Sequence, residues 1–402
     1  MKLERCNARE AAFLSVMASM SNERFVSDFL EEWHRLAKPQ RRDWAFAQEV
    51  AYGTVRMALA LDHIAEKLSD KGRLKLKVRE RVLLRTALYQ HVFMDRVPAY
   101  AIASETIVIA KKVCNSRSIP FLNAVLRKLS DADHSLPEEK TPAAMSVRYS
   151  YPEFFVSELI KGYGIVTSEE VMAYGNISPR ISVRIRGNGK VLKGMTAISD
   201  GVAFVDDMAM MKDIVASDEY YIQNPTPISL LTGMCRHISP PRRVLDMCAS
   251  PGGKALLVHD IFPDAELVVN DISEKKLQKL MENVEKYKIP AKVSCCRGEE
   301  FESAKLFDVI IIDAPCSNSG ALSRRAEARW RLSEDAVGKL QQTQKMLIKH
   351  AKNLLAPEGK IFYMTCSILR SENEDVAGSA EYSETILPTK DGRDGGFACI
   401  VV

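Results

Sequence analysis

No apolar run in this chain approaches the roughly 20 residues that a membrane helix requires, and no segment repeats in tandem or falls into low complexity. The first residues, Met1-Lys2-Leu3-Glu4-Arg5-Cys6, lack the apolar core of a secretory signal. The expected location is therefore the cytoplasm, with no membrane partner. None of the nine cysteines stands in a C-x-x-C pair, so the regular spacing of a zinc site or a disulfide scaffold is missing and no metal centre is expected. Most of the cysteines are expected to be reduced core residues, the vicinal pair Cys295-Cys296 after Val293 included. Nor is there a large excess of one charge. A net +4 in 402 residues permits a nucleic-acid partner without requiring one. What is present is the make-up of a globular protein of two or three domains, 46% hydrophobic and 27% charged, enough for real cores.

Residues 1–135 read as helices. Ala11, Phe13, Leu14, Val16 and Met17 form one apolar stripe. Phe46, Val50, Ala51, Val55, Leu59 and Ile64 form a second, and Val82, Leu83, Thr86, Ala87 and Tyr89 a third. Pro98 and Pro120 each suit the first turn of a helix. No alternating pattern interrupts this stretch, so an all-helical domain is expected. The polar segment 131–142 reads as a linker. Residues 145–220 are mixed, a small α+β domain. Within it Ile181-Ser182-Val183-Arg184-Ile185-Arg186 alternates strictly, predicting a half-exposed strand whose basic face either lies along phosphates or is simply solvated.

From Arg243 the rhythm becomes strand, loop, helix. Val244–Met247, Glu266–Asn270, Phe307–Ile312 and Lys360–Met364 are short, β-branched runs, and the helical stretches Glu274–Tyr287 and Asp335–Leu355 lie between them. This alternation predicts a doubly wound, mostly parallel sheet over residues 221–402. Its most informative loop is Asp246-Met247-Cys248-Ala249-Ser250-Pro251-Gly252-Gly253-Lys254, which follows a buried strand and opens a helix. Small residues there let backbone N–H groups and a helix N-terminus approach a ligand. Cys248 at the first glycine position and Ala255 after Lys254 exclude a Walker A loop, and G-x-G-x-x-G is absent too. Some other nucleoside-bearing ligand remains. Asp271, at the end of the next strand, can accept hydrogen bonds from a ribose or serve as a turn or helix cap; paired with the glycine loop, the ribose role is favoured.

Two further strands run into Asp313-Ala314-Pro315-Cys316-Ser317 and Thr365-Cys366-Ser367. In an open α/β sheet both segments emerge at the C-terminal strand edge, above the crevice that the glycine loop borders. A single cysteine after a strand is more often structural than catalytic. Two of them, each framed by small polar residues at strand ends, reverse that balance.

At this point a resemblance becomes specific. Asp246–Lys254, Asp313–Ser317 and Thr365–Ser367 resemble the RNA cytosine-5 methyltransferases of the ribosomal RNA small-subunit methyltransferase B/Nop2/Sun type. Asp43–Phe46, Tyr52–Arg56, Leu88–Gln90, Arg96–Pro98 and Phe121–Arg127 resemble the NusB-like helical domain of the methyltransferase B branch, and Tyr221–Pro225 resembles the opening of its catalytic domain. The resemblance thus spans nearly the whole chain. It implies a Rossmann-like S-adenosylmethionine-dependent domain at 221–402, preceded by a NusB-like domain at 1–135 and the small domain at 145–220. Cys366 would attack C6 of a cytosine, making C5 nucleophilic. Cys316 would assist proton removal and release, and Asp313 would act at N3 as the acid. Cys248, Ala249, Ser250, Pro251, Gly252, Gly253, Lys254, Asp271 and Asp313 would hold S-adenosylmethionine.

Two segments depart from the family's pattern. Where members carry an Asp that meets the adenine, this chain has Cys296-Arg297-Gly298-Glu299-Glu300, leaving Arg297, Glu299 and Glu300 as alternatives. Where they carry R-R-H-P-D-x-[KR]-W, it has Ser323-Arg324-Arg325-Ala326-Glu327-Ala328-Arg329-Trp330. Arg324, Arg325, Arg329 and Arg331 around Trp330 suit contact with phosphates and bases, unless the tryptophan is buried beneath a solvated helix. Arg73, Lys77 and Arg81, with Lys75 and Arg79 between them, would share a basic helical face. The expected partner is single-stranded or looped 16S ribosomal RNA, not DNA, and the expected state is a monomer. The same chemistry on transfer RNA, or a non-catalytic ribosome-assembly role, are the alternatives.

Overall fold

The computed structural model describes residues 2–21, 23–68, 74–131 and 133–401. The chain divides into two compact units, Met1–Ile160 and Lys161–Val402. No helix among the described residues is long and apolar enough to cross a membrane.

The first unit is helical throughout: α1 (Ala8–Met20), α2 (Val26–Ala37), α3 (Arg41–Arg56), α4 (Ala58–Lys67), α5 (Val78–Phe93), α6 (Ala99–Val113), α7 (Ser118–Arg127), α8 (Pro142–Tyr149) and the start of α9 (Glu153–Tyr174). Local chemistry fixes the helix starts. Asn7 accepts the Glu10 N–H at 2.9 Å while the Glu10 carboxylate accepts the Asn7 N–H at 3.0 Å, a reciprocal cap on α1. Thr141 caps α8, whose first residue is Pro142. Helix α5 runs through the middle of the core, with Leu84, Ala87 and Leu88 packed on Leu61 and Ile64 of α4 and Leu126 of α7.

Two basic features read from the sequence are arranged differently in the structure. Lys75 and Lys77 precede α5 rather than lying on it. Arg81 and Arg85 turn to Asp62 of α4, at 3.3 and 2.6 Å. The expected helical face of Arg73, Lys77 and Arg81 therefore does not form from its described members, and Arg73 itself lies outside the described residues.

In the second unit, the backbone of α9 breaks at Gly164, whose φ of 74° is left-handed, a conformation that suits glycine. A four-stranded antiparallel sheet follows, built from β1 (Ser182–Ile185), β2 (Met195–Ser199), β3 (Val202–Val205) and β4 (Tyr220–Ile222) in the order β2-β3-β1-β4, with α10 (Met211–Ala216) before β4. Strand β1 is interior to this sheet and buried on both faces, so its basic residues do not face solvent. Arg184 is 4% exposed and its guanidinium bonds the Asp260 carboxylate, which Arg186 also holds at 2.7 Å. The alternation reflects a buried ion pair, not a phosphate-facing edge.

The large sheet follows α11 (Pro225–Cys235). Its elements are β5 (Arg243–Asp246), α12 (Gly253–Ile261), β6 (Glu266–Asn270), α13 (Glu274–Lys286), β7 (Ala291–Ser294), β8 (Phe307–Asp313), α14 (Glu334–Asn353), β9 (Leu355–Thr365), α15 (Glu374–Ala377), β10 (Ala380–Ile386) and β11 (Gly396–Val401). The strand order is β10-β11-β9-β8-β5-β6-β7. Strands β5 to β9 pair in parallel, and β10 and β11 pair antiparallel at one edge. Successive strand residues point to opposite faces. Val244, Val309, Ile311, Phe362 and Met364 therefore pack with α11, α12 and α13, while Leu245, Ile310, Ile312, Ile361 and Tyr363 pack with α14. The chain reverses direction of travel across the sheet between β5 and β8, which makes the carboxyl ends of those two strands the switch point where an open α/β sheet leaves a crevice.

Candidate active site

Strand β5 delivers Asp246 to the floor of that crevice. It is fully buried, and neither carboxylate oxygen meets a donor in good hydrogen-bond geometry; the Cys248 N–H and the Lys254 charge act on it only weakly against its burial. Burial first, then the neighbouring Asp313 carboxylate, push its pKa up to about 7. The loop beyond it turns on Gly252, whose φ is 105° and where a Cβ would sit 2.7 Å from Leu280. A Cβ on Gly253 would lie 2.9 Å from the Tyr221 ring. Both glycines are thus required by backbone and space, and Gly253 opens α12 with its N–H groups facing the crevice end.

The rest of the loop is held from outside. The Asp271 carboxylate accepts the Ser250 N–H and the Ser273 N–H, each at 3.2 Å, so it fixes the loop as well as capping its own turn. Ser250 Oγ donates to the Lys276 carbonyl at 2.7 Å, and Asn283 Nδ2 to the Pro251 carbonyl at 2.7 Å. Ala249 N–H bonds the Asn270 carbonyl at 2.8 Å. Burial, with the charges of Asp246 and Asp313 next, raises the Cys248 thiol well above its usual range and keeps it protonated. Lys254, one residue into α12, reaches Asp313 at the end of β8, Nζ to carboxylate 2.6 Å. Burial opposes its charge, but Asp313, Asp246 and Cys366 outweigh that and its pKa is raised.

Beside this pair lie the two thiols. Cys316 and Cys366 leave β8 and β9, which are neighbours in the sheet, and their sulfurs are 3.2 Å apart. Cys366 Sγ also lies 3.1 Å from Asn318 Oδ1, and Asn318 Nδ2 donates to the Cys316 carbonyl at 3.0 Å. Asn318 has a φ of 59°, a left-handed conformation that asparagine tolerates better than most residues. The contact with Cys366 and then burial hold the Cys316 thiol well above the ordinary thiol range.

All the loop residues expected from sequence thus gather at one strand edge with Asp271, Asp313, Cys316 and Cys366. Sequence reasoning missed Asp246 as a site residue, and also Asn318 and Glu372. The signal for Asp246 was available, an acid at the end of a strand before a glycine loop. That for Glu372 was faint, an acidic run (Glu372, Glu374, Asp375) shortly after Thr365-Cys366-Ser367.

Other expectations did not hold. All nine cysteines are free, but three are fully buried (Cys6, Cys235 and Cys399) and Cys295 is exposed, because it follows the edge strand β7. Around Trp330, Arg329 is fully buried and donates to Asn176 Oδ1 at 2.9 Å, while Arg324 pairs with Asp394 at 2.9 Å. Those two arginines hold the fold; Arg325 and Arg331 are exposed, and Trp330 is half-buried. Of the three adenine candidates, Arg297 is exposed and ion-paired with Glu299 and Glu300, and the Glu299 charge acts on the Cys248 thiol.

Comparison with known proteins agrees with this layout. Residues 237–396 match the family model described as 16S rRNA methyltransferase RsmB/F, and residues 6–131 match that of the NusB family. The Ribosomal RNA small subunit methyltransferase B of Vibrio cholerae is 26% identical, over 98% of this chain and 97% of its own length. The protein of the same name from Proteus mirabilis is 27% identical, over 90% of each chain. The crystal structure of PH0851 superposes over 100% of this chain and 98% of its own, with a TM-score of 0.78 at 16% identity, a likeness of fold.

Proposed function

Since the chain belongs to the RsmB/F methyltransferase family and carries a NusB-family helical region, we propose that it methylates C5 of a cytosine in 16S ribosomal RNA through a covalent adduct to Cys366. S-adenosylmethionine is the cofactor and supplies the electrophilic methyl group. The residues present fit it: a glycine turn that a side chain would fill, a helix N-terminus, and a buried Asp246 carboxylate beneath the loop that leads into them. Asp271 takes the ribose hydroxyls. The adenine end falls to one of Arg297, Glu299 and Glu300.

The observation that carries the chemistry is the 3.2 Å approach of Cys316 to Cys366 beside the Lys254–Asp313 pair. A pyrimidine C5 is a poor nucleophile. When the Cys366 thiolate bonds to C6, the electron pair of the C5–C6 bond becomes available at C5. As charge builds at N3 a proton passes to it from the Lys254 ammonium by way of the Asp313 carboxylate it touches, and Lys254 regains its proton from solvent. After methyl transfer a solvent base takes the C5 proton, the C5–H electron pair forms the C5–C6 double bond and the C6–S pair returns to Cys366; the Cys316 thiol, 3.2 Å from Cys366, hydrogen-bonds the departing sulfur and so assists release. Contact with Cys366 and burial raise the Cys316 thiol, which favours Cys316 as the donor of that bond and Cys366 as the nucleophile.

The target cytosine must leave any stack to reach Cys366, so the substrate is single-stranded or looped RNA. Residues 1–135 add RNA affinity and selectivity, residues 145–220 connect, and residues 221–402 carry the reaction. The protein acts as a monomer in the cytoplasm. Nucleoside mass spectrometry of ribosomal RNA from cells lacking the protein tests the reading. It should reveal one missing 5-methylcytosine in the small subunit. A loss from transfer RNA instead would relocate the substrate, and no loss would remove the activity.

A further inference from the structure

The two cysteine segments are joined beneath the thiols by a residue outside both motifs. Glu372 follows β9 and is fully buried. Four donors converge on its carboxylate. Ser317 N–H (2.8 Å) and Gln344 Nε2 (3.2 Å) reach one oxygen, and Ser367 Oγ (2.7 Å) and the Ser317 hydroxyl reach the other. Ser317 is the neighbour of Cys316 and Ser367 that of Cys366, so one carboxylate grips both segments at the residue next to each thiol. The grip is itself supported. Gln344 Nε2 also bonds the Pro315 carbonyl at 3.0 Å, and Tyr363 OH bonds the Glu372 carbonyl at 2.6 Å. Ser319 Oγ lies 2.8 Å from Ser367 Oγ and accepts the Ile368 N–H at 3.0 Å.

We propose that Glu372 is the positioning residue of the thiol pair, holding the Cys316 and Cys366 segments in register and dividing the two cysteines between nucleophile and proton donor. Nothing at the strand ends alone would do this. Strands β8 and β9 fix the backbones up to Asp313 and Thr365, but the sulfurs stand on the loops beyond them. A misplacement of about 1 Å at a reacting centre costs on the order of a hundredfold in rate. Charge reinforces this division. Contact with Cys366 and burial disfavour the Cys316 thiolate most, and the Glu372 carboxylate, bonded to the neighbouring Ser317, adds to them.

The test separates charge from geometry, and it rests on the proposed reaction only for its turnover arm. In Glu372→Gln the amide oxygen can still accept the Ser317 and Gln344 N–H groups, and its NH2 can donate to serine hydroxyls that rotate to accept, so the grip survives without the charge. In the full-length protein, alkylation of Cys316 by iodoacetamide, followed against pH by peptide mass spectrometry, should then move to lower pH. Turnover should fall at least about tenfold while S-adenosylmethionine affinity stays within about twofold, the pattern expected when the grip is kept and the charge beside Cys316 is lost. Glu372→Ala, which removes the grip as well, should lose at least about a hundredfold in turnover; if it does not fold, Glu372→Gln decides alone. A Cys316 alkylation profile or a turnover unchanged in Glu372→Gln overturns the proposal. Because alkylation needs no RNA, a shifted profile in a protein that methylates no cytosine would instead refute the reaction assigned above.

Discussion

The two sides of the crevice treat a buried carboxylate in opposite ways. On the cofactor side Asp246 is fully buried and neither oxygen meets a donor in good hydrogen-bond geometry; on the thiol side Glu372 is equally buried and accepts from four donors. A buried unpartnered charge costs free energy that a satisfied one does not. The difference separates a loop that carries a strained buried acid beneath it from a scaffold whose buried acid is fully satisfied.

The largest effect expected from this contrast is on stability. Burial has raised the Asp246 pKa from 3.8 to about 7. An acid raised in the folded state contributes stability that is fully present below its unfolded value and is lost as pH rises toward the folded one. The cofactor-free protein should therefore lose stability from this group between about pH 4 and pH 7, by at most roughly 4 kcal/mol at about 1.4 kcal/mol per unit. Asp246→Asn should be more stable than the parent above pH 7 and equal to it below pH 4. Denaturant unfolding across that range checks this; a constant gap at all pH values would mean the charge of Asp246 is not the source.

A smaller effect is expected at Asp271, which has two backbone partners and sits between the two extremes. Asp271→Ala should weaken S-adenosylmethionine binding by about 1.5–3 kcal/mol, the scale of hydrogen bonds to a charged group. Titration calorimetry giving equal affinities would reduce Asp271 to a loop support. The smallest effect should come from Arg184, whose buried guanidinium only partly satisfies its donors while Asp260 keeps Arg186 as a second partner. Arg184→Met should change stability by no more than about 1 kcal/mol and leave the salt dependence of RNA binding as it was. A flatter salt slope would return this strand to the RNA interface.

Periodic features were legible in the sequence. The β-branched runs gave four of the five parallel strands, β7 (Ala291–Ser294) excepted, and the glycine loop and both cysteine segments fell where an open sheet puts them. The antiparallel hairpin of β10 and β11 was not foreseen, because Ala380–Ile386 is mostly polar and carries little strand pattern. Arg184 and Arg329 were misread for a shared reason: their partners, Asp260 and Asn176, are remote in sequence. Glu372 was hidden in the same way, since its donors come from residues 317, 344 and 367. Local pattern reveals which strand end a residue occupies, and tertiary contact decides whether its charge is scaffold or site.

The assignment of separate roles to Cys366 and Cys316 is tested most directly by trapping the adduct. RNA incubated with Cys316→Ala and S-adenosylmethionine should still be attacked at C6 and methylated, but released slowly. It should give a slow-migrating, heat-resistant, RNase-sensitive band on a denaturing gel. Cys366→Ala and the double variant should give no band and no turnover. A persistent band from Cys366→Ala with none from Cys316→Ala would reverse the two roles, and full activity in both single variants would contradict covalent catalysis by these thiols.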